Sequence, residues 1–318
     1  MKSSMIVHPD EVSKKWIHRL ADAGVDVLGI HPVGGMDAAA SLADLLERIK
    51  TKEFRELIDY ALSRGLEVEY EIHAAGYLMP RALFEEHPDY FRMNEQGERT
   101  KDWNFCVSNP AAMALFSRRA AELARTLYGS RPVFYFWMDD GRGLHCHCPG
   151  CKHLSPSDQQ LMAVGGMLRE IRKQIPTARM AYLAYVDSIV PPTNVSPEEG
   201  VFLEYAPFAK YTATGEDASE RIAKEKEMIR PLMDFFGGEP PKVLEYWYDN
   251  SLYSGWKKPP ARFALNREAM EREIAEYRRM GFETISTFAC FLGEDYESLH
   301  GDVDVTPFGA CLKGFLGT

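Results

Sequence analysis

The stretch Val133 to His153, VFYFWMDDGRGLHCHCPGCKH, carries the reading that decides the fold. Its first six residues, Val133 to Met138, are an aromatic-rich apolar run of the length expected for a strand buried on both faces. The run stops at adjacent carboxylates, Asp139 and Asp140. Gly141 and Gly143 then turn the chain into a loop that carries His145, Cys146, His147, Cys148, Cys151 and His153. A buried strand that delivers acids and soft ligands to one end of a sheet is the pattern of an active-site edge.

Outward from this strand the chain alternates. Val25–Ile30, Leu66–Ile72, Phe105–Ser108, Arg179–Tyr185, Val201–Tyr205, Lys242–Tyr248 and Glu283–Ala289 read as further strands, with Phe105–Ser108 the weakest. Helical spacing runs through residues 9–23, SLADLLERIK, FRELIDYALSR, AAMALFSRRAAELARTLYG, DQQLMAVGGMLREIRKQI, Glu216–Phe236 and REAMEREIAEYRRM. A short last helix is expected in PFGACLKGFL. Gly24, Gly65 and Gly281 sit at favoured helix stops. The Pro-rich connection SIVPPTNVSPEEG leaves no room for a helix between the fifth and sixth strands. Eight strands alternating with helices predict parallel pairing and a closed, slightly irregular (β/α)8 barrel, one domain over residues 1–318. An open doubly wound sheet is the rival. His31-Pro-Val-Gly-Gly after the first expected strand lacks the Gly-x-Gly-x-x-Gly pattern, so no nucleotide cofactor is expected.

The 318 residues are 45% hydrophobic and 26% charged, ordinary for a globular chain, with net charge −10. That charge argues against nucleic acid as the main partner. No apolar stretch approaches the length of a membrane span, and MKSSMIVHPDEVSKKW lacks the apolar core of a signal peptide. A cytoplasmic protein is expected, with no membrane partner; the oligomeric state has no signature in the sequence.

In such barrels chemistry gathers at the C-terminal strand ends. These ends offer His31, His73, Asn109, Asp139, Asp140, Tyr185, Glu204, Tyr205, Glu245, Trp247 and Tyr248. Two carboxylates facing one cavity are the minimum for glycoside hydrolysis. Asp140 is the expected acid, since Gly141 leaves space beside it, and Glu245 the nucleophile or base. Strand alternation keeps Asp139 and Asp140 from pointing to one place, so Asp139 is expected to orient a neighbour. The aromatic run after Glu245 suits the apolar face of a sugar, although Tyr- and Trp-rich strands are also ordinary core. His31 and His73 read equally as substrate contacts or as hydrogen-bonded loop residues.

Cys148-Pro-Gly-Cys151 is half of a metal knuckle, and Cys146 adds a third thiolate. With one more ligand, from His145, His147, His153 or Cys106, these would hold a structural zinc. Packed thiols without a metal are the plainer alternative.

HPDYFRMNEQGERTKDWNFCVSNP, residues 87–110, resembles the His-Pro-Glu-Tyr-Phe … Gly-Arg … Cys-x-x-Asn-Pro run of several glycoside-hydrolase barrels. DDGRGLHCHCPGCKHLSPSDQQ, with the Pro-Pro connection beyond it, resembles an uncharacterised family of carbohydrate-associated barrels related to the α-glucuronidases and β-hexosaminidase-type enzymes. The resemblance covers roughly residues 60 to 205. It implies a sugar-active barrel in which Asp139-Asp140 occupies the place of an Asp-Glu pair, the second residue being the acid and the first orienting the substrate's acetamido group. Here the second residue is the shorter Asp140. Glu245 matches the nucleophile position of the large retaining-barrel clan, whose Asn-Glu on the fourth strand this chain lacks. The expected function is therefore a glycoside hydrolase acting on a carbohydrate. The alternatives are a non-catalytic sugar-binding barrel and a metal-dependent hydrolase built on the cysteine and histidine loop.

Overall fold

The computed structural model describes residues 1–314. Eight strands, β1 (Lys2–Val7), β2 (Val27–Ile30), β3 (Glu67–His73), β4 (Val133–Trp137), β5 (Arg179–Ala184), β6 (Val201–Tyr205), β7 (Lys242–Glu245) and β8 (Thr284–Phe288), are hydrogen bonded in sequence order as a closed barrel. Pairing is parallel, and β1 meets β8 from Lys2 opposite Thr284 to Ile6 opposite Phe288. The expected (β/α)8 barrel is the observed fold.

The strand count survives two compensating differences. β1 was not expected. Its first half is polar: Lys2 pairs with Glu67, and the Ser3 backbone N–H and hydroxyl donate to Asp26 at 2.8 and 2.7 Å. Only Met5, Ile6 and Val7 remain as an apolar run, too short to read as a strand. Conversely, Phe105–Ser108 is no strand but an irregular segment ending in a turn. Its apolar residues serve other contacts: Phe105 stacks on Phe116 at 4.2 Å, and the Cys106 N–H donates to Tyr90 O. The first two expected strands are thus β2 and β3.

Helix ends follow local chemistry. Ser13, Thr51, Asn109 and Asn266 cap helices with side-chain oxygens, and Ser155 with Asp158 forms a capping box. Gly24 and Gly281 close helices in the left-handed region. The expected helix Glu216–Phe236 is two, Ala218–Glu227 and Ile229–Phe235. Pro231 has no N–H for the Glu227 carbonyl, which breaks the ladder there. Between β5 and β6 the only helical piece is one turn at Val186–Ser188. The last helix, Thr306–Lys313, matches the expectation, and the end of PFGACLKGFL lies outside the described residues.

Close packing groups the chain into two compact units. One comprises Met1–Pro32, Leu45–Tyr70 and the chain from Pro240. Its core is Met5, Ile6, Val27, Leu28, Val243 and Ile285 under Trp16, Leu20, Ile274 and Phe308. The other comprises Val33–Asp44 and Glu71–Glu239, with Phe134, Phe136, Leu203 and Tyr182 buried under Phe116, Leu161 and Leu168.

Candidate active site

In the second unit the ends of β3, β4 and β5 surround a cleft lined by His73, Asn104, Asp139, His145, Gln160, Tyr185 and Asp187 among others. β4 ends at Trp137, and the two aspartates beyond it turn to different partners, as alternation predicted. Asp139 accepts from Arg81 at 2.5 Å and from the Asn104 backbone N–H. Asn104 returns the contact: its Oδ1 accepts from the Asp139 N–H at 2.9 Å, and its Nδ2 donates to Leu144 O. Asn104 is held at φ +40°, a strained conformation that the reciprocal pair maintains. Asp139 is thereby a positioning residue.

Asp140 accepts at Oδ1 from the Tyr185 hydroxyl at 3.0 Å. Burial, with the Asp140 charge adding to it, pushes Tyr185 far above the usual phenol range, so this hydroxyl remains a donor. On the other side, a Cβ on Gly34 would lie 3.4 Å from Asp140 Oδ2 and 3.0 Å from the His73 ring. The bare backbone there leaves room that a side chain would fill. His73 Nδ1 lies 2.7 Å from Met138 O; a carbonyl only accepts, so Nδ1 carries the proton. Val186, a β-branched residue at φ +50°, separates Tyr185 from Asp187, which accepts from the Gly143 N–H. A strained residue here marks a segment whose shape is dictated by its contacts.

Four expected residues, His73, Asp139, Asp140 and Tyr185, therefore meet in one unit. Six others make contacts within the protein. Asn109 is the cap of Pro110–Thr126 and bonds Asp89. Glu204 is fully buried and accepts from Trp137 Nε1 at 2.8 Å; Tyr205 beside it is core. In the first unit, Glu245 is fully buried and accepts from the Tyr277 hydroxyl, on the Arg267–Met280 helix, at 2.5 Å. Trp247 is buried with its Nε1 on Glu273, and Tyr248 packs between Phe263 and Phe308. Glu245 and Trp247 both meet the Arg267–Met280 helix, while Tyr248, beyond the end of β7, is held among aromatic rings. His31 is buried edge-on to Phe288.

The sequence reading missed Arg81, Asn104 and His8. Nothing in the irregular segment from Pro80 to Thr100 singles out the first, or in its continuation the second. His8 had a signal: Val7-His8-Pro9 and Ile30-His31-Pro32 end two strands in the same way.

The cysteine loop is resolved into a cluster. Cys106, Cys146, Cys148 and Cys151 are buried, and their sulfurs all lie within 4.8 Å of one another. Cys106 is thus the fourth member, and the three loop histidines are outside the set. The Met93 N–H reaches Cys146 Sγ at 3.3 Å, and Ser108 Oγ lies 3.4 Å from both Cys106 and Cys148. Hydrogen bonds from Cys146 and Cys151 hold the Cys106 thiol well below its usual range, while Cys146 is pushed up to about 11. Four soft donors at this spacing fit a tetrahedral metal.

Among the described residues no helix is long and apolar enough to cross a membrane. No curated protein sequence matches the chain. Among solved structures, the fold is similar to the cold-adapted β-galactosidase of Rahnella sp. R3, with TM-score 0.57, 13% identity, 99% of this chain and 56% of that one covered. It is similar to a GH42 β-galactosidase from G. stearothermophilus, with TM-score 0.57, 12% identity, and coverage of 99% and 57%. It is also similar to a GH5-4 broad-specificity endoglucanase from an uncultured bacterium, with TM-score 0.51, 12% identity, and coverage of 96% and 85%. These identities carry the fold alone, a (β/α)8 barrel, and the chain spans little more than half the length of either β-galactosidase. A family model described as "Domain of unknown function (DUF4838)" matches residues 47–232, more than half of the sequence, and the chain belongs to that family.

Proposed function

We propose that this barrel is a glycoside hydrolase whose proton-transferring group is Asp140. One observation carries the reading: a carboxylate at the C-terminal end of β4, held at one oxygen by Tyr185 and lying beside a bare glycine at the other. In this reading Oδ2 passes its proton to the leaving-group oxygen of a bound glycoside as the glycosidic C–O bond breaks, a water oxygen bonds to the anomeric carbon, and the proton that water loses restores Asp140. Tyr185 fixes the carboxyl orientation, and Asp139 with Arg81 fixes the loop. A panel of aryl and alkyl glycosides tests it. Asp140→Asn should lower kcat/KM on any hydrolysed alkyl member by about 10²–10⁴-fold with the melting temperature held; full retention of alkyl-glycoside turnover would dismiss the assignment.

The burial of Glu245 favours a second reading, a carbohydrate-binding barrel without turnover. It predicts saccharide binding that survives Asp140→Asn. The cysteine cluster is proposed as a structural zinc site. Four thiolates would fill a tetrahedral shell and leave no open position for a reacting water, which argues against metal-dependent hydrolysis.

A further inference from the structure

The first unit carries a second group of side chains at the C-terminal ends of its strands. His8 follows β1, His31 follows β2, and Phe288 ends β8. Tyr246 and Asp249 follow β7. His8 stacks on His31 with ring centroids 5.9 Å apart, His31 meets Phe288 at 5.1 Å, and Phe288 meets Tyr246 at 5.3 Å. Phe291, 6.1 Å from His8, is held at φ +62°, a conformation rare for a bulky side chain.

The His8 tautomer follows from its neighbour. Nδ1 lies 2.8 Å from His31 O, which can only accept, so Nδ1 carries the proton and the neutral ring keeps its lone pair on Nε2. Among the described residues Nε2 has no hydrogen-bond partner, yet it is not among the sealed polar atoms of the core. The backbone that presents it is fixed. Glu11 Oε2 accepts from the His8 N–H at 3.1 Å, and Oε1 accepts from the Leu292 and Gly293 N–H groups at 2.9 and 3.1 Å. A chain segment tied this firmly, ending in an acceptor that no described protein donor reaches, is organised for a ligand. Buried Asp249 lies near enough to interact electrostatically with His8, and burial raises its carboxyl above the usual range.

We infer that His8 Nε2 accepts a hydrogen bond from a hydroxyl of a bound saccharide, against a ring wall formed by His31, Phe288 and Tyr246. Rings with apolar faces beside one fixed acceptor match the alternating C–H and O–H surface of a pyranose. This rests on the carbohydrate reading above, but it needs binding only and no turnover.

The test uses the whole chain labelled with nitrogen-15 histidine, titrated with D-glucose and with D-galactose. His8→Asn assigns the resonance. An asparagine amide takes the place of Nδ1 and keeps the donor to His31 O, while Nε2 disappears. The wild type should show His8 in the Nδ1-protonated form, with a saturable Nε2 shift on addition of at least one sugar. His8→Asn should keep the melting temperature and bind that sugar about tenfold more weakly, the loss of one hydrogen bond. His8→Gln, whose carbonyl reaches the Nε2 position, should restore part of the affinity. An Nε2 resonance unmoved by both sugars overturns the inference, as does equal affinity in His8→Asn. Glycoside turnover without a His8 shift would sink this inference alone; a His8 shift without turnover would sink the hydrolase alone.

Discussion

Replacing Cys106 by Ser should cut the tie between two loops that are about 40 residues apart in sequence, measured from Cys106 to Cys146. A metal held by all four sulfurs closes that segment as a cross-link does. The loop-closure entropy for about 40 residues is roughly 13 cal/mol/K, or about 4 kcal/mol at 25 °C. Spread over an unfolding entropy of about 2.1 cal/mol/K per residue, this lowers the melting temperature by roughly 6 °C. The loss reaches the cleft, because Asn104 lies two residues before Cys106 and its side chain bonds Leu144, two residues before Cys146. Gln159 also grips the loop, accepting from the Cys146 N–H and donating to Cys146 O. The assay is metal content by mass spectrometry together with scanning calorimetry, with and without a strong chelator. Wild type should carry one zinc per chain and lose stability on chelation. Cys106→Ser should carry substoichiometric metal and respond little to chelator. A metal-free wild type whose melting is unmoved both by chelator and by Cys106→Ser would refute the staple.

Other consequences can be measured separately. Tyr185→Phe removes the donor to Asp140 and should lower kcat about tenfold with KM and melting temperature held; an unchanged kcat would free Tyr185 from that role. Trp247→Phe should cost about 2 kcal/mol of stability by losing ring volume and the bond to Glu273 while leaving saccharide affinity unchanged, since the ring is core. Glu11 is raised from 4.5 to about 7, chiefly by burial against the three N–H bonds it accepts. A raised carboxyl gives stability that is present below pH 4.5 and lost as pH rises through 7, by about 3 kcal/mol. Chemical denaturation across that window should show this slope in wild type and not in Glu11→Gln; parallel curves would contradict it.

The barrel was legible because most strands announce themselves. Val133–Trp137 is an apolar run and Val201–Tyr205 nearly so, and the helices on either side of β4 begin at Asn109 and Ser155 with ordinary caps. β1 was not legible, since Lys2 and Ser3 are satisfied by Glu67 and Asp26, partners distant in sequence. The aspartate pair and the cysteine knuckle were readable as local motifs. Their completion was readable only in part: Cys106 was one of four candidate fourth ligands, while Arg81 and Asn104 reach the site from a segment without periodicity. Alternation was applied to Asp139-Asp140 and gave the right divergence. β7 ends at Glu245, so the turn beyond it, and not strand alternation, sets Tyr246 beside Phe288 and Trp247 on Glu273.

Leaving-group dependence is the sharpest probe of proton transfer by Asp140. On a glycoside whose sugar is hydrolysed by the wild type, kcat/KM is measured for Asp140→Asn with an alkyl leaving group and with dinitrophenol. An acid assists only the poor leaving group, so the alkyl glycoside should lose about 10²–10⁴-fold and the dinitrophenyl glycoside far less. Equal losses on both, or none on either, would contradict the account.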